Sequence, residues 1–244
     1  MGFFDLLTPT LKWVDESLFS ILNIDLKIII WSLIGAICST LLFKSLVNTK
    51  KVVELKKELK KNQAALSAHE GSFDDLKSLA KTSITLSFKR LGATTLPSLA
   101  AAIPLVFLLV FMSSQYDLEP VKPNQIVPYE IFTSTEKTAI EQGTIVWPAL
   151  GLTDSIKDSN GIDIVAVPFN PVQLIHKEKW WNVLFANPAS YIPESSHVDR
   201  IVFNFKSLST GPIFGHFFST WHWPFIILIS LFSLTSFYIF KIKF

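Results

Sequence analysis

The side chains that most often carry catalysis are few in this 244-residue chain, and their spacing is unfavourable for it. Ser195-Ser196-His197 places hydroxyls beside an imidazole, but neighbours in sequence seldom face each other, so a turn is the better interpretation. No two histidines stand four residues apart, the spacing at which one helix face presents two metal ligands. The motifs G-x-S-x-G and H-E-x-x-H and a phosphate-binding glycine loop are absent. We therefore expect no enzyme, no metal site and no cofactor.

A different kind of chemistry is suggested by polar residues within and beside two long apolar stretches. Pro97 and Pro104 each remove a backbone donor from the second stretch and free the carbonyl oxygens of Ala93 and Ala100. Lipid tolerates such groups only where hydroxyls, water or other helices satisfy them. A hydrated groove between the two stretches would be lined by the following residues: Ser32, Ser39, Thr40, Lys44, Thr94, Thr95 and Ser98.

Each of these features also has a purely structural interpretation. Gly35 and Ser39 form a small-xxx-small pair, which is typical of helix contacts in membranes. Lys44 stands where a lysine extends its ammonium group towards the membrane interface, and the two prolines would then only kink the helix. No ionisable residue lies deep inside the apolar stretches, which argues against ion or proton pumping.

The elements that position these residues are apolar stretches separated by a basic segment. Residues 28–43 carry no charge over 16 residues, and residues 91–112 carry none over 22, which as a helix of about 33 Å crosses a bilayer. Residues 44–90 hold eleven Lys and Arg and five Asp and Glu. Because short basic loops remain in the cytoplasm, we expect the N-terminus outside and the C-terminus inside.

The basic segment should fold as a coiled-coil-like antiparallel hairpin, with helices at roughly 44–69 and 73–90 that continue into the spans. Gly71 suits the left-handed position that follows a helix. Ser72 can cap the next helix, and two aspartates follow in the first turn, where the helix dipole favours acids. Acids interleave the basic residues beside the membrane, so we expect lipid and membrane-protein partners, with no nucleic acid and no small-molecule substrate.

Residues 1–23 have the pattern of an amphipathic helix in the outer membrane interface. Thr8 can cap it, and Pro9 fits the first helical position. Packing on the external domain is the alternative. The apolar stripe consists of residues spaced by three or four: Leu7, Leu11, Val14, Leu18 and Ile21.

Residues 113–215 contain no long apolar run and carry seven basic and eleven acidic residues. The single cysteine, Cys38, lies elsewhere, so this region has no disulfide of its own. We expect a small, mostly β domain with a turn at residues 158–161. Its predicted strands are residues 125–132, 143–147, 162–167 and 200–205. Aromatic anchors at the membrane interface are expected at Trp180, Trp181, Trp221 and Trp223.

The predicted architecture is an α-helical membrane protein with three transmembrane helices, a cytoplasmic antiparallel helical hairpin and a small, mostly β extracytoplasmic domain. In chain order, the predicted parts are an interfacial helix (1–23), the first span (24–47), the hairpin (48–90), the second span (91–112), the external domain (113–215), the third span (221–240) and a cytoplasmic tail (241–244).

The order of parts up to Met112 resembles the YidC-like membrane insertase superfamily, especially its three-span archaeal and endoplasmic-reticulum members. Ser87-Phe88-Lys89 followed by Pro97 is similar to the Ser-Phe-Lys-Pro approach of that superfamily to its second span. The resemblance covers the first half of the chain and implies a non-enzymatic insertase or intramembrane chaperone. The external domain between the second and third spans suggests a bacterial inner-membrane protein with a specialised partner.

Two further functions remain compatible with the sequence. A structural or scaffolding subunit of an envelope complex would dock partners through the external domain. A sensor would couple that domain to the hairpin, but no kinase, cyclase or methylation region follows. Copurification from native membrane distinguishes the insertase from the scaffold. An insertase should contact ribosomes or nascent chains, whereas a scaffold should retain a fixed stoichiometric partner.

Overall fold

The computed structural model describes residues 2–122, 124–133, 139, 141–147, 155–157, 163–167, 171–187 and 190–242. These residues form a mixed helical and β protein with five α-helices and six β-strands, besides short 3-10 helices. The helices are α1 (Thr8–Leu18), α2 (Ile24–Leu46), α3 (Thr49–Ser67), α4 (Phe73–Tyr116) and α5 (His222–Ile239). The strands are β1 (Ile126–Thr133), β2 (Glu141–Val146), β3 (Ser155–Lys157), β4 (Asp163–Ala166), β5 (Leu174–His176) and β6 (Val198–Phe203).

The chain divides into two compact units. The sheet unit comprises Met1–Lys27 and Leu109–Pro224, and the hairpin unit comprises Ile28–Leu108 and Phe225–Phe244. Three helices, α2, α4 and α5, are long and apolar enough to cross a membrane. The prediction of three candidate spans is confirmed at this level.

The first hairpin helix is separate from the first candidate span, so the predicted continuity between them was wrong. Helix α2 ends at Leu46, and α3 begins at Thr49. Asn48 occupies the N-cap position, and its Oδ1 accepts a hydrogen bond from the N–H of Lys51 at 3.1 Å. An asparagine in this position satisfies backbone donors that a continuous helix would have paired internally, and thus starts a new helix.

The second hairpin helix is continuous with the second candidate span, as predicted. Helix α4 contains 44 residues and is therefore about 66 Å long, with both prolines inside it. Ser72 caps it, because its Oγ accepts a hydrogen bond from the N–H of Asp75 at 3.3 Å. Gly71 does not adopt the predicted left-handed conformation. Helix α3 ends earlier, with Ala68 in the C-cap position at a φ of −98°, so the turn needs no left-handed glycine.

The two hairpin helices pack along a narrow apolar seam. Val52, Leu55 and Leu59 of α3 are buried at spacings of three and four residues, as in a coiled coil. Beyond them, Asn62 Nδ2 donates hydrogen bonds to the carbonyl oxygen of Leu79 at 2.8 Å and to Ser83 Oγ at 2.7 Å. A polar contact of this kind in a seam specifies the register of the two helices.

Small residues allow close helix contacts within the hairpin unit. A Cβ atom added to Gly35 would lie 2.7 Å from Cδ1 of Leu108 in α4 and 3.2 Å from Cδ1 of Ile229 in α5. A methyl group at this position would therefore require the Leu108 side chain to shift, so glycine favours the close approach of the helices. The small-residue face predicted for the first span therefore packs against both other candidate spans.

The sheet unit is built on a four-stranded antiparallel sheet with the order β2-β1-β6-β5, and β3 and β4 form a separate antiparallel pair. All four predicted strands are present within a few residues of their predicted limits. Strands β3 and β5 were missed because three residues give too short a pattern to recognise. The turn predicted at residues 158–161 lies outside the described residues. The core includes Val127, Ile131, Trp147, Ile156, Ile175, Ile201 and Phe203.

Across the first strand pair, Tyr129 lies opposite Gly143. A Cβ atom on Gly143 would come within 2.6 Å of the phenol oxygen, so the ring covers the glycine. Burial, followed by the nearby carboxylate of Glu141, raises the pKa of Tyr129 above its ordinary value. The tyrosine is thus neutral at physiological pH and acts as part of the sheet surface.

The N-terminal helix starts one residue away from its predicted cap. Leu7 occupies the N-cap position of α1, Thr8 is the first helical residue, and Pro9 lies in the first turn. The prediction of Thr8 as the cap was therefore wrong. Of the predicted apolar stripe, Leu7 and Leu18 are exposed, whereas Leu11 and Val14 are partly buried. Ile21 is exposed but lies beyond the end of α1.

Candidate functional site

Three of the predicted groove residues line one open cavity in the hairpin unit. Ser39, Thr94 and Ser98 lie along a shallow cavity of about 210 Å³ that is more open than enclosed, together with Phe43, Ala101 and Phe237. These six residues come from α2, α4 and α5, so all three candidate spans contribute to the cavity wall. The lining combines hydroxyl groups with aromatic rings, and such a surface can contact both polar and apolar groups.

The hydroxyl groups of the cavity are bound to backbone carbonyls. Ser39 Oγ of α2 donates to the carbonyl oxygen of Ala101 in α4 at 2.7 Å, a hydrogen bond between two candidate spans. Ser98 Oγ donates to the carbonyl oxygen of Thr94 at 2.9 Å. Thr94 Oγ1 lies 3.2 Å from the carbonyl oxygen of Arg90. Each oxygen keeps acceptor capacity, so the cavity can still accept hydrogen bonds from a polar group.

The two prolines act beside this cavity. The carbonyl freed by Pro97 belongs to Ala93, and we expected nearby hydroxyls to satisfy it. Ser98 binds the carbonyl of Thr94, the next residue along the helix, so the role of hydroxyls and water at the Ala93 carbonyl stays a prediction. Ser39 binds the carbonyl of Ala101, next to the Ala100 carbonyl that Pro104 frees. Hydroxyls therefore reinforce the backbone close to both interruptions.

The remaining predicted groove residues lie elsewhere. Ser32 and Thr40 are buried in α2, and Ser32 Oγ has no hydrogen-bond partner among the described residues. Thr95 is exposed on α4 and does not line the cavity. Lys44 is exposed, with its Nζ 5.6 Å from the centre of the Phe240 ring, a cation–π contact.

The residues that carry the family-like pattern lie along α4. Ser87, Phe88 and Lys89 are exposed, and Pro97 is buried. Phe88 is 70% exposed. Lys89 lines an open cleft of about 370 Å³ on the hairpin, whose other lining residues belong to α3: Lys51, Glu54, Leu55 and Glu58.

The four tryptophans predicted as interface anchors divide into two groups. Trp180, Trp181 and Trp223 are exposed, as that role requires. Trp221 is buried, and its Nε1–H donates to Asp117 Oδ1 at 2.7 Å. Its assignment as an anchor was wrong, because the indole is part of the interior of the sheet unit.

The described residues include no metal-binding cluster, and the Ser195-Ser196-His197 segment forms a turn. They contain no group of three or more His, Cys, Asp or Glu side chains that could hold a metal ion. At Ser195-Ser196-His197, the N–H of Ser196 donates to the carbonyl oxygen of Pro193 at 3.0 Å, and Ser196 Oγ accepts from Val198. This segment is therefore the predicted turn.

Two aspartates of the sheet unit are buried, and no sequence pattern marks them. Asp25, in the first turn of α2, is 0% exposed. Its carboxylate accepts hydrogen bonds from the backbone N–H groups of Gly211 at 2.8 Å, Ile213 at 2.6 Å and Phe214 at 3.4 Å. Successive backbone donors of this kind form a concave anion site, and here the anion is part of the chain.

The second buried aspartate joins α1 to the ends of two candidate spans. Asp15 Oδ2 accepts from Lys27 Nζ of α2 at 2.7 Å, and Asp15 Oδ1 accepts from the hydroxyl of Tyr116, the last residue of α4, at 2.6 Å. The only sequence signal was an aspartate on the polar face of a helix, which is usually solvated. The sequence gives no indication that Lys27 and Tyr116 meet it.

Comparison with protein-family models, with curated proteins and with solved structures finds no match for this chain.

Proposed function

We propose that this chain is a three-span bacterial inner-membrane protein, with the N-terminus outside and the C-terminus in the cytoplasm, that acts as a non-enzymatic insertase or intramembrane chaperone. The observation that carries the proposal is the open cavity lined by Ser39, Thr94 and Ser98 among the candidate spans. An unsatisfied polar group in lipid costs several kcal/mol. A cavity that offers hydroxyl partners lowers this cost for the hydrophilic segment of a client.

The hairpin supplies the first contact with a client. Phe88 presents an exposed ring on α4, and Lys89 beside it presents a positive charge. Ser98 of the cavity lies ten residues beyond Phe88 on the same helix, about 15 Å along the axis. A client segment that binds at Phe88 is therefore within a few turns of the cavity.

The first prediction concerns orientation. In a Cys38→Ser background, Gln63→Cys in α3 should resist a membrane-impermeant thiol reagent in intact cells, and Ser195→Cys should react, because the basic hairpin is cytoplasmic. Both positions are exposed in the structure, so burial does not explain a difference in labelling. Gln63→Cys should react after the membrane is permeabilised. The opposite pattern in intact cells would invert the topology and exclude the insertase.

The second prediction concerns the cavity. The combined change Ser39→Ala, Thr94→Val and Ser98→Ala should reduce insertion of a client with a polar external segment, whereas the protein should still accumulate. Accumulation is expected because hydrogen bonds between membrane helices contribute only about 0.6 kcal/mol on average. Thr95→Val is the matched control, since Thr95 is exposed on the same helix but outside the cavity.

Solvent access gives a direct measurement of the same cavity. Single cysteines at Thr94 and Ser98 should react with a small thiol reagent added from the cytoplasmic side, and Leu108→Cys, which replaces a buried residue, should not. Protection at both cavity positions, together with full activity of the triple variant, would defeat the insertase mechanism.

The structure also favours a second function, that of a scaffold. The sheet unit has its own apolar core, and β2 is an edge strand that pairs only with β1 among the described residues. An edge strand offers unpaired backbone groups to an extended segment of another protein. A fixed stoichiometric partner in copurification, without ribosomes or nascent chains, would favour this function over the insertase.

A further inference from the structure

A short loop of the sheet unit exposes a concentration of large apolar side chains. The 3-10 helix Trp180–Val183 and the two residues after it expose five of their six side chains. Trp180 is 80% exposed and Val183 is 74% exposed. Contiguous apolar surface is rare on soluble proteins and marks contact with a protein or a membrane.

The buried member of this loop fixes its shape. Asn182 Oδ1 accepts a hydrogen bond from the N–H of Lys179 at 2.7 Å, and Asn182 Nδ2 donates to the carbonyl oxygen of Phe185 at 2.9 Å. One amide thus connects the start of the loop to its end. The exposed rings and branched side chains are consequently presented by a defined scaffold.

The N-terminal segment is attached to the same loop. Asp5 Oδ2 accepts hydrogen bonds from the N–H groups of Gly2 and Ala186, both at 2.8 Å. The N–H of Phe4 donates to the carbonyl oxygen of Leu184 at 2.9 Å. The rings of Phe4 and Phe185 stack, with centroids 5.1 Å apart. Two segments that are far apart in sequence therefore form one surface.

The N-terminal side of this surface is also apolar, and it leads directly into α1. Phe3, Leu6 and Leu7 are exposed. Helix α1 follows, and its Asp15 contacts Lys27 in the beginning of α2 and Tyr116 at the end of α4. These contacts hold α1 at the ends of two helices that are apolar enough to cross a membrane, which is where a bilayer surface would lie.

We propose that Phe3, Leu6, Leu7, Trp180, Val183 and Leu184 form a lipid platform that inserts into the phospholipid surface at these ends of the spans. We assign lipid as the partner of this surface because α1 connects the surface to the beginning of α2 and to the end of α4. Charge supports the same occupant: Lys179 lies beside the platform, with its Nζ 5.0 Å from the centre of the Trp181 ring. Lysine and tryptophan together are typical of the headgroup region.

The platform anchors the sheet unit to the membrane at a point other than the spans themselves. It restricts the movement of this unit away from the bilayer, since an amphipathic surface binds a membrane through its buried apolar area. This inference does not depend on the insertase proposal and holds equally for a scaffold.

The test places an environment-sensitive fluorophore on the full chain. Val183→Cys in a Cys38→Ser background is labelled and reconstituted in nanodiscs of phosphatidylethanolamine and phosphatidylglycerol. A lipid that carries its spin label high on the acyl chain should quench the fluorophore strongly. Thr144→Cys, an exposed position on strand β2, is the control and should be quenched little.

Two further labels make the result decisive. Leu7→Cys should be quenched together with Val183→Cys, because the platform joins both segments. Quenching at Leu7 alone, or at neither position, would overturn the platform. Should Val183→Cys fail to fold, as judged by gel filtration of the reconstituted protein, Trp180→Cys carries the same label and the same expectation.

Discussion

Replacing Asp25 by alanine should destabilise the sheet unit by about 3 to 5 kcal/mol, because it leaves three backbone donors without their charged acceptor. The loss should be concentrated in the segment from Gly211 to Phe218, which is tied to this carboxylate and closed by the bond from the N–H of Gly215 to the carbonyl oxygen of Gly211. Amide hydrogen exchange of that segment, measured in detergent micelles together with the thermal unfolding temperature, checks the prediction.

Three further variants separate the effect of the carboxylate from general effects of mutation. Asp163→Ala removes an exposed aspartate of β4 and should change the free energy of unfolding by less than about 0.5 kcal/mol. Gly211→Ala keeps the carboxylate of Asp25 but places a Cβ atom 2.7 Å from its Oδ2, and should destabilise the same segment. Gly92→Ala, where nothing lies within 4 Å of the added atom, should not. Equal exchange rates for Asp25→Ala and Asp163→Ala would contradict the role of the buried carboxylate.

Replacing Lys27 by methionine should cost a similar amount, about 3 to 5 kcal/mol, because the charge of Asp15 is then buried with the hydroxyl of Tyr116 but without its cation. The side chains of Lys27 and Asp15 are only 15% and 8% exposed, so solvent screens the pair little. We expect a lower unfolding temperature. We also expect α1 to detach from the sheet unit, which would be detected as proteolysis near residues 19–23.

The double variant tests whether the cost comes from leaving the buried Asp15 carboxylate without Lys27. Asp15→Leu combined with Lys27→Met should recover most of the stability lost in Lys27→Met, since an apolar pair leaves no charge buried. Lys12→Met removes the partner of Glu16 in an exposed pair on α1, 3.8 Å apart, and should cost at most about 1 kcal/mol. If Lys27→Met were as mild as Lys12→Met, the buried ion pair would not hold α1 in place.

Part of the candidate cavity was predictable from residue type and part was not. Hydroxyls near prolines in an apolar helix indicate a place where backbone carbonyls have lost their helical hydrogen-bond donors. Ser39, Thr94 and Ser98 do line the cavity. Thr95 and Thr40 have the same residue type but point elsewhere, because one residue along a helix turns the side chain by about 100°. The sequence alone does not indicate which face of each helix borders the cavity, because that depends on how α2, α4 and α5 pack together.

The sequence by itself determined the elements that depend on local physics: three apolar helices from long uncharged stretches, a helix start at Ser72 and the strands from their β-rich patterns. Only the tertiary structure decided which distant groups meet. Asp25 binds a loop about 190 residues away, Tyr116 binds Asp15 across 101 residues, and Trp221 turns inward to Asp117. The physical reason is that a helix or turn is stabilised by neighbours along the chain, whereas a buried charge is stabilised only by partners that folding brings to it.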